Sequence, residues 1–410
     1  MSSEKLTMLA KTFSGLENVL KEELLQIGAS DVEPVVRGVK FTGTKETLYK
    51  ANFCCRTALR VLKFIGEYKV HSQNDLYQSV YNIDWSEIFD INQTFAINST
   101  VNSEAFNNSM FVSLKTKDAI VDQFRTKFKK RPSVNPDDPD IRINVHASSD
   151  TLTVSLDSSG ESLHKRGYRV GQNEASMSEV LAAGILKIAG WKGQCDFYDT
   201  MCGSGTIPVE AALIARNIPP GMFRKEFAFE KWKDFDSDLF EEIYNEDYEV
   251  PFEHKIYASD ISSISIKVSE KNAKSAGVLK DIEFSTADFA TLKPKSEKGL
   301  LIINPPYGER MRERQVEPLY KMIGDALKSG FSGFKAWVFS SSEDGFKNIG
   351  LRPSRKIKLY NGPLECSFRH YELYDGSKKE KKQYGNRRTN QGEGFKRRSP
   401  DNNFKPRRKY

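Results

Sequence analysis

Leu16, Val19, Leu20, Leu24 and Ile27 recur at helical spacing after Thr12-Phe-Ser-Gly15, with Gly28 as a stop, so a helix is predicted to follow a short strand. Val32 to Thr42 alternates like a strand pair, and Thr44 to Val61 reads as a second amphipathic helix, together predicting a small α+β unit. Asp75-Leu-Tyr77, Val80 and Trp85 come next, then a strand-like run from Thr94 to Thr100. A helix is predicted from Leu114 to Phe128, with Leu114, Ile120, Val121 and Phe124 on its apolar face. The proline-rich run Arg131 to Pro139 ends it. Ile141 to His146 and Thr151 to Leu156 then alternate on either side of Ala147-Ser-Ser-Asp150, the pattern of a β-hairpin.

From Ala175 the texture changes to strands alternating with helices, which predicts a parallel, doubly wound α/β sheet. Seven strands are predicted: Cys195 to Asp199, Lys255 to Ser259, Ile282 to Thr286, Leu300 to Asn304, Ala336 to Ser340, Lys356 to Tyr360 and Phe368 to Leu373. Helices fall at Thr206 to Arg216, Ser263 to Ala276 and Val316 to Lys328, while Asn217 to Phe252 reads as an insertion rich in aromatic and acidic residues.

Composition adds the class. A chain of 410 residues, 38% apolar and 29% charged, holds two or three domains with their own cores. Its net charge of +7 is unevenly placed, because residues 376–410 carry 13 Lys/Arg against three acids and the remainder is slightly acidic. That basic tail lacks the apolar surface to offset its ordering entropy and is expected to be disordered. The most apolar windows, Leu59 to Ile65 and Gly299 to Ile303, are far shorter than the ~20 residues of a membrane span. The N-terminus has no signal-peptide pattern, so a cytoplasmic protein is expected. Five cysteines form no C-x-x-C pair and five scattered histidines form no metal-ligand spacing, so neither a disulfide framework nor a bound metal is expected.

The chemistry concentrates in four places. Asp196-Phe-Tyr-Asp199-Thr-Met-Cys202-Gly203-Ser-Gly205-Thr206-Ile-Pro208 is a strand running through a glycine turn into a helix. Pro208 stands where a nicotinamide-binding fingerprint needs its third glycine, and no Gly-Lys-Ser/Thr follows for a Walker loop. What fits is S-adenosylmethionine, with Asp199, Gly203 and Gly205 around its amino-acid portion. Asp260 ends the second strand, where a carboxylate accepts from ribose hydroxyls, and Asp288 follows the third, where it can accept from the adenine amine. The fourth strand runs into Asn304-Pro305-Pro306-Tyr307. There the Asn304 carboxamide and the Pro305 carbonyl are fixed acceptors for an exocyclic amine, and Tyr307 offers a ring on which a planar base stacks.

These two motifs resemble the THUMP-containing class I RNA methyltransferases, specifically the L-type guanine-N2 methyltransferases of large-subunit (23S) ribosomal RNA. The resemblance extends upstream through Arg56-Thr-Ala-x-Arg60, Lys115-x-Lys-Asp118-Ala-Ile-Val-Asp122, Arg131-Pro-Ser-Val, Asp140-Ile-Arg142 and Leu163-His-Lys-Arg-Gly167-Tyr-Arg169. It implies a ferredoxin-like region at 1–44, a THUMP RNA-binding region at 45–157 and a Rossmann-like methyltransferase domain at 158–375, followed by the tail at 376–410. It implies S-adenosylmethionine as cofactor, large-subunit ribosomal RNA as partner, and the same site residues: Asp199, Gly203, Gly205, Asp260 and Asp288 for the cofactor, and Asn304, Pro305 and Tyr307 for the amine. Thr200 departs from the proline usual in the family. Lys127-Phe-Lys-Lys-Arg131 and His164-Lys-Arg-Gly-Tyr-Arg169 place basic and aromatic residues together, as RNA contacts require. The alternatives are N2-guanine methylation of transfer RNA, N6-adenine methylation of DNA or RNA, and a non-catalytic RNA-binding assembly factor.

Overall fold

Two seven-stranded sheets organise the chain in a computed structural model that describes residues 5–103, 105–171, 176–307 and 313–374. The tail at 376–410, expected to be disordered, and Gly308 to Arg310 of the proline motif lie outside the described residues.

The first sheet is built from β1 (Leu6–Lys11), β2 (Ser30–Val35), β3 (Gly38–Gly43), β4 (Arg60–Lys69), β5 (Phe95–Asn102), β6 (Ile141–Ser148) and β7 (Thr151–Asp157), in the order β2-β3-β1-β4-β7-β6-β5. It runs unbroken across residue 44. All its pairs are antiparallel except β5 with β6. The hairpin expected around Ala147 to Asp150 is β6–β7. Helices α1 (Glu17–Gln26) and α2 (Lys45–Cys54), and further along α3 (Gln73–Tyr81), α4 (Trp85–Ile88) and α5 (Ser109–Phe128), bury their apolar faces in one core containing Leu20, Leu48, Trp85 and Phe124. The helix expected to reach Val61 ends at Cys54, and Val61 lies in β4. Its apolar residues continue past the helix because a fully buried strand also reads as an apolar run.

The second sheet contains β8 (Phe197–Asp199), β9 (Ile256–Asp260), β10 (Ile282–Thr286), β11 (Leu300–Ile303), β12 (Lys335–Ser340), β13 (Arg355–Asn361) and β14 (Leu364–Glu372), in the order β10-β9-β8-β11-β12-β14-β13. Six strands, β13 among them, run in one direction, as expected. β14 departs from that expectation: it is antiparallel to both β12 and β13. The turn at Gly362 and Pro363 joins β13 to β14, and strands connected so tightly can only run antiparallel. Helices α6 (Glu179–Ile188), α7 (Thr206–Ala215), α9 (Ser263–Ser275), α10 (Glu313–Gly330) and α11 (Glu343–Asn348) accompany this sheet.

The stretch expected as an insertion holds α8 (Ser237–Tyr244) and packs on the first half of the protein. Tyr49 of α2 stacks on Phe229 at 4.4 Å, and Phe53 meets Tyr248 at 6.0 Å. Such pairs contribute roughly 0.5–1.5 kcal/mol each beyond the area they bury. In the opposite direction Leu16 leaves the first half and packs with the second core, so close to α6 that a Cβ on Gly184 would lie 2.6 Å from it.

The basic run His164 to Arg169 is divided: Lys165 is exposed, while Arg166 and Tyr168 turn inward and cannot serve as the RNA contacts expected of them. Arg166 and Tyr168 are buried at 1% and 2% exposure, and both engage Glu210 of α7, at 3.5 and 3.1 Å. Their charge and hydroxyl are used inside the protein. The sequence shows a cation and an aromatic residue but not the distant carboxylate that claims them.

Candidate active site

The glycine turn between β8 and α7 is shaped by two backbones that only glycine adopts easily. Gly203 has φ +55° and Gly205 φ +80°. They serve different ends. A Cβ on Gly205 would lie 2.9 Å from Ser269 Cβ, so that glycine lets α9 approach the turn, whereas a Cβ on Gly203 would meet nothing within 4 Å. Gly203 thus has open space beside it, and it lines the cleft described below. The turn is tied down from α9 as well: Ser269 Oγ donates to the Gly203 carbonyl at 2.8 Å, and Asn272 Nδ2 donates to the Ser204 carbonyl at 2.9 Å.

The strand-end acids converge because β10, β9 and β8 are adjacent. Asp260 accepts from the backbone N–H groups of Gly203 and Ser262, each at 2.9 Å. Asp288 is exposed and caps Ala290 N–H at 2.9 Å. Asp199 is fully buried. Its Oδ1 accepts from Met201 N–H at 3.2 Å, and its Oδ2 finds no partner among the described residues. Burial, reinforced by the charge of Asp260, pushes this carboxyl up to about 8. Burial likewise pushes the Cys202 thiol well above its ordinary value, which keeps it protonated and unreactive.

A cleft of about 320 Å³ opens at the carboxyl ends of these strands, where the strand order reverses between β8 and β11. Gly203, Asp260, Asp288, Asn304 and Pro306 line it, together with Thr200 and Met201. Asn304 Oδ1 is buried and has no partner among the described residues. Asp199, Gly205, Pro305 and Tyr307 do not line the cleft. Tyr307 is 5% exposed, its ring edge-on to Phe339 at 6.1 Å and its hydroxyl accepting from Asn361 Nδ2 at 3.0 Å. The expected stacking face is covered in this conformation.

Three family descriptions match the chain: an RlmL ferredoxin-like domain over residues 7–62, a THUMP domain over 70–157, and an RMKL-like methyltransferase domain over 166–370. The chain belongs to the THUMP-containing, RMKL-like methyltransferase family. A relative from Psychromonas ingrahamii named ribosomal RNA large subunit methyltransferase K/L is 40% identical across 90% of this chain, which spans only 50% of that relative's length. A Synechocystis protein provisionally named an RNA methyltransferase is 39% identical across 88% of this chain and 95% of its own. Among solved structures, a provisionally named methyltransferase crystallised with S-adenosylhomocysteine superposes with a TM-score of 0.82, at 28% identity, over 92% of this chain and all of its own.

The family uses S-adenosylmethionine, and the cleft fits it. Gly203, Asp260 and Asp288 line the cleft, a Cβ on Gly203 would meet nothing within 4 Å, and the buried Asp199 Oδ2 at the end of β8 has no partner among the described residues. An α-ammonium group is the charge that a buried, unpartnered carboxylate lacks. The sequence reading noted Thr200 only as a departure from the family's proline, and it missed Asn272: the first lines the cleft with a hydroxyl that has no partner among the described residues, and the second braces the turn from 68 positions away. No local signal marks Asn272. Among the described residues, no helix is long and apolar enough to cross a membrane, and no three His, Cys, Asp or Glu side chains cluster as metal ligands.

Proposed function

We propose that this chain methylates the exocyclic N2 amine of a guanine in large-subunit ribosomal RNA, in the cytoplasm where that RNA is assembled. The observation that carries the reading is the Asn304 carboxamide oxygen, buried and without a partner among the described residues, in the cleft that Asp260 and Asp288 also line. S-adenosylmethionine supplies an electrophilic methyl group. Asp260 binds its ribose, Asp288 its adenine amine, and Asp199 with the Gly203–Gly205 turn its amino-acid end. Asn304 Oδ1 and the Pro305 carbonyl accept hydrogen bonds from the two amine N–H groups, which draws the nitrogen towards tetrahedral geometry and aims its lone pair at the methyl. Tyr307 stacks on the base, which must be unstacked from its neighbours to arrive. The THUMP match supports RNA over DNA, and the Psychromonas relative's name supports the large subunit.

Mass spectrometry of ribosomal RNA nucleosides from a deletion strain is expected to lose one N2-methylguanosine. Loss of N6-methyladenosine, or a change confined to transfer RNA or DNA, would replace this reading. With purified protein, Asp260→Ala is expected to weaken S-adenosylmethionine binding by ~1.5–3 kcal/mol in calorimetry. Asn304→Ala is expected to preserve that binding and lower kcat by ~10²-fold, as for an acceptor that acts mainly in the transition state.

A further inference from the structure

The group that holds Tyr307 belongs neither to the glycine turn nor to the proline motif. Asn361 closes β13, opposite Leu364 of β14, and donates its Nδ2 hydrogen to the Tyr307 hydroxyl at 3.0 Å. Cys366 of β14 shares a side-chain hydrogen bond with Tyr307 as well. The ring these contacts fix is 5% exposed and belongs to the same core as Phe339 and Phe368. Asn304, three positions earlier on the same stiff backbone, faces the cleft. One half of the motif is therefore presented and the other half withheld.

The hairpin that withholds it is braced from the first half of the protein. A Cβ on Gly15 would lie 2.8 Å from Leu359 Cδ2 and 2.9 Å from the Lys358 carbonyl, so the loop after β1 rests directly on β13, two to three residues before Asn361. This leaves the hairpin little room to carry Tyr307 outwards. The ring must move relative to the hairpin, and the bonds to Asn361 and Cys366 are what that motion breaks.

We propose that Asn361 is a positioning residue that governs access to Tyr307: its amide stores the ring in the core, and an arriving base exchanges that hydrogen bond for stacking. The inference rests on the reading of Tyr307 as the base-stacking wall. A base that must first release the ring binds with an affinity reduced by the fraction of molecules already released. Once the base is stacked the tether is broken in every variant, so the chemical step is the same.

Methylation of an in vitro transcript of large-subunit ribosomal RNA tests this. Asn361→Leu removes the donor at similar volume and is expected to lower KM for RNA by roughly 3- to 10-fold while kcat changes by less than about twofold. Asn361→Ser, too short to reach the hydroxyl, is expected to do the same and serves if the leucine variant fails to fold. Asn361→Asp, whose carboxylate accepts from the hydroxyl, is expected to restore the original KM. An unchanged or raised KM in both Asn361→Leu and Asn361→Ser overturns the proposal, as does a loss confined to kcat. Tyr307→Ala separates this from the underlying reading: if it methylates RNA with unaltered KM and kcat, the stacking role itself fails, whatever Asn361 does.

Discussion

At the residue scale the carboxyl of Asp199 is the least comfortable group in the site. It has one backbone donor, a neighbouring carboxylate and no solvent, and it holds its proton to about pH 8 against an ordinary value of 3.8. The folded state therefore binds more protons than the unfolded chain between those two values, and stability falls as pH rises through that window. Without cofactor, Asp199→Asn is expected to match the parent near pH 4 and to become progressively more stable than it up to pH 8, by at most ~1.4 kcal/mol per pH unit. Denaturant midpoints across pH measure this, and parallel curves for the two proteins would refute it. Saturating S-adenosylmethionine is expected to flatten the parent's slope, because an ammonium beside Asp199 holds it ionised. The acid was legible in the sequence as a strand end. Its isolation was not, because isolation depends on what the rest of the fold fails to place beside it.

At the scale of elements, the two glycines of the β8–α7 turn look alike in sequence and differ in the fold. Gly205→Ala combines a φ of +80° with a Cβ 2.9 Å from Ser269, on the helix that also binds the turn through Asn272. Strain and overpacking together are expected to cost several kcal/mol. Gly203→Ala carries only the backbone penalty of ~1–2 kcal/mol, since open space receives its methyl. Gly203 also lines the cleft, so Gly203→Ala is expected to lose cofactor affinity out of proportion to its stability. Thermal melts and titration calorimetry on the pair should show the opposite ranking in the two measurements. Equal rankings would mean that the turn acts as one rigid unit. The same contrast applies to Asn361 and Asn304: both sit at strand ends, and only the sheet order shows that one holds the ring while the other faces the cleft.

At the scale of the whole molecule, buried ions and aromatic packing join the two sheets. Glu210 of α7, the helix that follows the glycine turn, engages Arg166 and Tyr168, and the Arg166 guanidinium also donates to the Arg56 carbonyl in the first half. Glu23 of α1 accepts from Thr57 and pairs with Lys187 of α6 at 3.1 Å. Removing one member leaves a buried charge uncompensated, so Glu210→Ala is expected to destabilise the protein by roughly 3–5 kcal/mol. The loss should appear in a single unfolding transition, because residues up to Leu373 form one compact unit. Two separated transitions would show that the halves unfold independently. The basic tail is expected to act at longer range. Its 13 Lys/Arg against three acids are expected to grip phosphates without selecting a base, each phosphate on single-stranded RNA adding ~0.7 to the slope of log affinity against log salt. Filter binding of the full chain and of residues 1–375 should give a flatter slope for the shorter protein at the same methylated nucleotide. Equal slopes would assign the tail to solubility alone.

Periodicity and motif spacing were enough for the alternation of strands and helices, the order Asp199, Asp260, Asp288, Asn304 along the strands, and the family, because each is written in residues near one another in the chain. Tertiary structure alone decided that β14 runs antiparallel, that Arg166 and Tyr168 turn inward to Glu210, that the stretch from Asn217 to Phe252 is an aromatic clamp on the first half, and that Tyr307 is covered. Each of these depends on a partner 40 or more positions away, or on a tight turn whose consequence is felt across the sheet. Burial and partnership between distant residues follow from how the two sheets pack, and no local pattern records that.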